Sequence, residues 1–123
     1  MKDHNQELFD SIFQKSLDLG YDTYDYLPPK ETKYPFVHIG EVGIRAIPRK
    51  DIWFGTANVT IHVWHDRYHR KDISKMMDNL IKNLRQVKHF TIKPDEVYTR
   101  LLIDNTTSNT LYHGVMELEY NFK

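Results

Sequence analysis

The hydrophobic period of the chain changes partway through residues 51–88. From 57 to 65 it alternates: Ala57, Val59, Ile61 and Val63 point one way, and Asn58, Thr60, His62 and Trp64 the other. Period two on a β-branched background predicts a strand. From 73 to 87 the period becomes helical. Ile73, Met76, Met77, Leu80, Ile81, Leu84 and Val87 recur at i, i+3, i+4 and i+7 and form one apolar stripe, with Asp72 near its start and Lys75 and Lys82 on the solvent side. A strand followed by such a helix predicts a two-layer unit, with the stripe laid on the apolar face of a sheet.

The flanking segments supply the remaining elements. Residues 3–19 predict a first helix, with Asp3 as cap, Glu7 in the first turns, a stripe of Leu8, Phe9, Ile12, Phe13 and Leu17, and Gly20 as the stop. Residues 21–34 open with three tyrosines, Tyr21, Tyr24 and Tyr26, interleaved with Asp22 and Asp25, and hold Pro28-Pro29, which favours an extended segment. This segment is either an arm for a neighbouring subunit or a connector packed on its own domain. Phe36, Val37, His38 and Ile39 open a strand in which Gly40 and Gly43 predict a bulge or bend. Residues 48–51 read as a turn. Residues 89–94 read as a short connector or edge segment. Residues 97–104 and 112–122 alternate around the polar loop 105–110, which predicts a hairpin. The fold class is therefore α+β: a mainly antiparallel sheet with two amphipathic helices on one face, in the order α-β(β)-β-α-β-β, as one domain over residues 1–123.

Composition narrows the function classes. With Lys+Arg and Asp+Glu both at 17, the formal charge is zero, which argues against a nucleic-acid module with its usual basic excess. The absence of cysteine excludes disulfides, thiolate metal sites and a cysteine nucleophile. The opening residues carry no apolar run of a secretory signal and no stretch is long enough for a membrane span, so a soluble protein made in the cytoplasm is expected, with no membrane partner. Aromatic residues are generous, and some are expected to serve an interface.

No catalytic constellation emerges. His62, His65, Asp66 and His69 are close in sequence, but at strand spacing His62 and His65 face opposite ways and no H-E-x-x-H follows. These histidines read as polar surface and loop residues, and no metal or cofactor is expected. No serine sits in a G-x-S-x-G elbow and no glycine loop for phosphate is present. Glu117 and Glu119 share a strand face, which reads as a solvated face. Arg67, Arg70 and Lys71 interleave with Tyr68 and His69, a pattern that can track a phosphate backbone, but Asp66 and Asp72 bracket it. A small nucleic-acid-binding module is thus the alternative to a non-enzymatic assembly protein.

Three stretches carry a resemblance. They are YPFVHIGE at 34–41, VTIHVWH at 59–65, and LIDNTT at 102–107 with HGVMELEY at 113–120. Together they resemble the tail-completion proteins of long-tailed bacteriophages and prophages of Gram-positive hosts, the tail-terminator or head–tail joining group. The resemblance implies a virion subunit, made in the host cytoplasm, that forms a ring with itself, commonly a hexamer. It would cap the tail tube, meet the tail tube protein and the head connector proteins, and see DNA only in passage through a lumen. A different minor tail or connector component is the neighbouring reading. The resemblance carries no catalytic residue. Loop position makes Pro48, Arg49, Lys50, Arg67, Tyr68, Arg70, Asn105 and Thr106 the candidate interface residues, with Tyr24 and Tyr26 from the 21–34 segment, and Trp64 is a further candidate interface ring.

Overall fold

In the computed structural model, residues 3–48, 53–106 and 108–123 are described. The elements are α1 (His4–Asp18), β1 (Thr23–Tyr24), β2 (Phe36–Pro48), β3 (Trp53–Asp66), α2 (Arg70–Asn83), β4 (Gln86–Val87), β5 (Phe90–Asp104) and β6 (Leu111–Phe122). The six strands form one sheet in the order β1-β2-β3-β6-β5-β4. All pairs are antiparallel except β1 with β2, which is parallel. The expected α+β class, with its element order, is what the chain adopts.

Local chemistry sets the helix ends. Asp3 Oδ1 accepts the Gln6 N–H at 3.0 Å, capping α1. At the other end the Gly20 N–H reaches the Leu17 carbonyl and the Tyr21 N–H the Ser16 carbonyl. That is the paired pattern of a Schellman stop, and Gly20 takes the φ of +91° it requires. Helix α2 begins at Arg70, earlier than its apolar stripe, because the turn after β3 already supplies helical backbone, with Ile73 N–H bonding His69 O at 3.0 Å. The stripe's last residue, Val87, is not helical. The helix ends at Leu84, and Val87 pairs with Phe90 in a tight β4–β5 turn where Lys88 takes φ +51°.

The core lies between the helices and one sheet face. Ala57, Val59, Ile61 and Val63 are buried beneath Leu8 and Ile12 of α1 and Ile73, Met76, Met77, Leu80 and Leu84 of α2, with Met116, Leu118, Tyr120 and Phe122 from β6. Gly114 is buried on the same face. A Cβ there would stand 2.5 Å from Met77 Sδ, so its absence lets α2 approach the sheet.

Two expectations need correction. Residues 89–94 are not a separate connector: Phe90 opens the long strand β5, which runs through Pro94. The ladder tolerates a residue without an N–H there because the register with β6 slips between Ile92 and Val97. In β2 the register with β3 slips between Ile39 and Val42, the irregularity that the Gly40–Gly43 spacing predicts. His65 is not a surface histidine. It shares the inward parity of Val63 and is buried. No helix among the described residues is long and apolar enough to cross a membrane.

Candidate assembly surfaces

Strand register fixes where the candidate residues meet. Asp66 pairs with Leu111, and Leu111 with Asp104, so β3, β5 and β6 finish level with one another. The turn carrying Arg67 and Tyr68 therefore stands beside the loop carrying Asn105 and Thr106, and Arg70 follows as the first residue of α2. Tyr34 belongs to this end too. Burial raises its hydroxyl pKa, and the nearby Asp104 carboxylate adds to the rise. Pro48 pairs with Trp53 at the opposite end of the sheet. Arg49 and Lys50 lie outside the described residues.

Both loops at the shared end are internally tied. Asp66 Oδ1 accepts the Tyr68 N–H at 2.9 Å and contacts His69 Nδ1 at 2.5 Å, and the two hydrogen bonds help hold the Asp66 carboxyl below its ordinary range against the opposing effect of burial. The Arg67 guanidinium lies 4.7 Å from the Tyr68 ring centre and bonds its hydroxyl, so this cation is partly committed within its own turn. In the other loop Asp104 Oδ1 accepts from both Thr106 Oγ1 (2.6 Å) and Thr106 N–H (2.8 Å), which lowers the Asp104 pKa, and Asn105 Oδ1 accepts from Thr110 Oγ1 at 2.9 Å.

Part of the 21–34 segment lies on its own domain. Thr23 and Tyr24 pair with Val37 and His38, and the Tyr24 ring meets Phe36 edge-on at 5.7 Å. Tyr26, edge-on to Tyr24, remains 59% exposed, as does the neighbouring Leu27 to a similar degree. From Phe36 a band of rings crosses the helix-free face of the sheet. Phe36 stacks on Trp64, Trp64 on His113 at 3.8 Å, His113 on His62 and His62 on His38. The Trp64 ring is thus built into the face. His62 Nδ1 and His113 Nε2 are 2.8 Å apart, so one ring donates and the other accepts. Burial first, and repulsion from a neighbouring imidazole second (His38 for His62, His62 for His113), lower the pKa of His62 and take that of His113 to about 4. Sequence reasoning missed this band because its members come from three strands. The only trace was that each histidine has outward parity in its own strand.

The sheet's two flanks differ from its middle. β4 covers only Phe90 and Thr91, so from Ile92 onward the outer edge of β5 has no strand neighbour among the described residues. Along that edge Lys93, Pro94, Asp95 and Glu96 form a charged, proline-bearing half of the kind that discourages pairing. The remaining half, from Val97, is mixed: Tyr98, Leu102 and Ile103 present their side chains to solvent, Ile103 at 63%, beside exposed Thr99 and Arg100, whose guanidinium lies 5.7 Å from the Tyr98 ring centre. β1 shields β2 only at Val37 and His38, and Asn5 Nδ2 donates to the Val42 carbonyl at 3.0 Å further along.

No protein-family model and no curated protein matches the sequence. The fold is nevertheless shared with a solved structure, a chain of the virion of a native gene transfer agent particle. The two superpose with a TM-score of 0.63 over 99% of this chain and 100% of that chain, at 10% identity. At that identity the likeness establishes the common fold.

Proposed function

We propose that this chain is a structural virion subunit of the tail-completion kind, which assembles into a ring, caps the tail tube and joins tail to head. The observation that carries the proposal is the likeness to a virion chain, which covers 99% of this chain and 100% of that one. The YPFVHIGE, VTIHVWH and DNTT…HG stretches support the tail-completion reading specifically. They fall on β2, β3 and the β5–β6 hairpin, the elements that meet at the shared loop end. Function on this reading is docking, not catalysis. The half of the β5 edge from Val97, with its exposed Tyr98, Leu102 and Ile103, is the surface suited to a neighbouring copy, by strand addition or side-chain packing. The loops carrying Arg67, Tyr68, Asn105 and Thr106 are suited to one axial partner, and the end of β2 at Pro48, at the opposite end of the sheet, to the second.

Light scattering on the purified chain, alone and mixed with its tail tube protein, tests the reading. The expected result is a ring, commonly a hexamer, that forms on or is stabilised by the tube. A chain that stays monomeric at high concentration and leaves the tubes unbound would overturn it. Deleting the gene from the phage is expected to give tails of abnormal length or tails unattached to heads. Normal tails detached only from some other component would point instead to a different minor tail or connector role.

A further inference from the structure

Helix α1 begins with a histidine and a glutamate one turn apart, so His4 and Glu7 lie on one face of its first turns. That face meets the β4–β5 turn, where Lys88 at φ +51° sets His89 against it. One donor atom from each of His4, Glu7 and His89 lies within 4.8 Å of the other two. His89 Nε2 stands 3.0 Å from Glu7 Oε1. His4 is only 8% exposed, and its Nδ1 is buried with no hydrogen-bond partner among the described residues. The surroundings are apolar: the His4 ring lies 4.5 Å from the Phe122 ring and the His89 ring 4.6 Å from that of Phe90. A buried ring nitrogen with no hydrogen-bond partner, next to a partly buried carboxylate, is costly unless something binds it.

We propose that His4, Glu7 and His89 form a zinc site that clasps the start of α1 to the β4–β5 turn. Two imidazoles and a carboxylate are a known zinc donor set, one that leaves a fourth position open. Zinc bonds of about 2.0–2.2 Å place tetrahedral ligands roughly 3.4 Å apart, so the donors here need only small side-chain shifts. Of the three donors, His89 lines a cleft of about 760 Å³, together with Phe54 and Phe122. A second convergence, of His65, Asp66 and His69, is less suited. Its donors are already used, since His65 Nδ1 accepts the Asp66 N–H at 2.9 Å and Asp66 Oδ1 serves Tyr68 and His69. The zinc proposal does not depend on the assembly reading.

The test is zinc titration of the full chain after chelator treatment, with the retained metal counted after desalting. One zinc per chain is expected for the wild type and none for Glu7→Gln or His89→Gln, with circular dichroism reporting whether each variant is folded. Binding is expected to weaken in acid, because zinc competes with protons for its ligands. Histidine side-chain NMR on the wild type gives a readout free of any folding defect. Zinc should move the imidazole signals of His4 and His89 and leave those of His65 and His69 in place. No retained zinc in the wild type, undiminished retention in the folded variants, or shifts confined to His65 and His69 would each overturn the site.

Discussion

Gly55 sits where two strands crowd together: a Cβ there would fall on the Arg45 carbonyl oxygen, which belongs to the β2 backbone. At Gly114 the obstacle is the Met77 side chain, which can repack. Gly114→Ala is therefore expected to cost about 1–3 kcal/mol by overpacking, and Gly55→Ala more, as denaturant unfolding will show. Gly20→Ala meets no neighbour and loses only the left-handed conformation, about 1–2 kcal/mol. The His62–His113 pair makes a pH prediction. The folded state lowers the pKa of His113 from 6.5 to about 4, chiefly by burial, so the unfolded chain binds the proton more readily. The stabilisation is complete above pH 6.5 and is lost as pH falls toward 4. Asp104 opposes the shift, while Arg100 and His38 add to it. In thermal melts, the advantage of the wild type over His113→Gln should narrow as pH drops through that window.

Among the elements, α2 is tied to β6 by more than apolar contact. The buried Tyr120 hydroxyl donates to the Leu84 carbonyl at 2.7 Å, at the helix C-terminus where backbone acceptors lack helical partners. Tyr120→Phe removes that donor and is expected to cost about 1–3 kcal/mol, read from chemical denaturation. The β5 edge carries a prediction of the opposite kind. Leu102→Lys with Ile103→Lys changes exposed side chains and should leave the melting temperature within a few degrees of wild type. The same pair should abolish ring formation in light scattering, because charge on an open edge blocks pairing. Intact rings in that double variant would remove β5 from the assembly interface.

For the molecule as a whole, the register of three strands decides which loops can act together. Arg67, Tyr68, Asn105 and Thr106 share one end, and Pro48 ends β2 at the other. Charge reversal at Arg67 and Arg70 should therefore weaken binding to one axial partner and leave the other unchanged, as measured by pull-down with tube and connector proteins separately. Equal loss of both would mean that these loops do not define a single docking end.

Local periodicity was enough to read both helices, the buried faces of β3 and β6, the β5–β6 hairpin and the bulge in β2, because each is set by residues near in sequence acting against water. Periodicity also separated His62 from His65 by face. It could not bring His4 and Glu7 to His89, align His38, His62 and His113, or place the tyrosine segment beside β2. Nor could it tell that Val87 leaves its helix for a strand, or that Ile103 is left exposed on the open part of β5. Those outcomes depend on strand order, register and the reach of a finite helix layer, which arise from contacts between distant segments. The amphipathic pattern determined what would be buried, and only the tertiary structure decided what would meet.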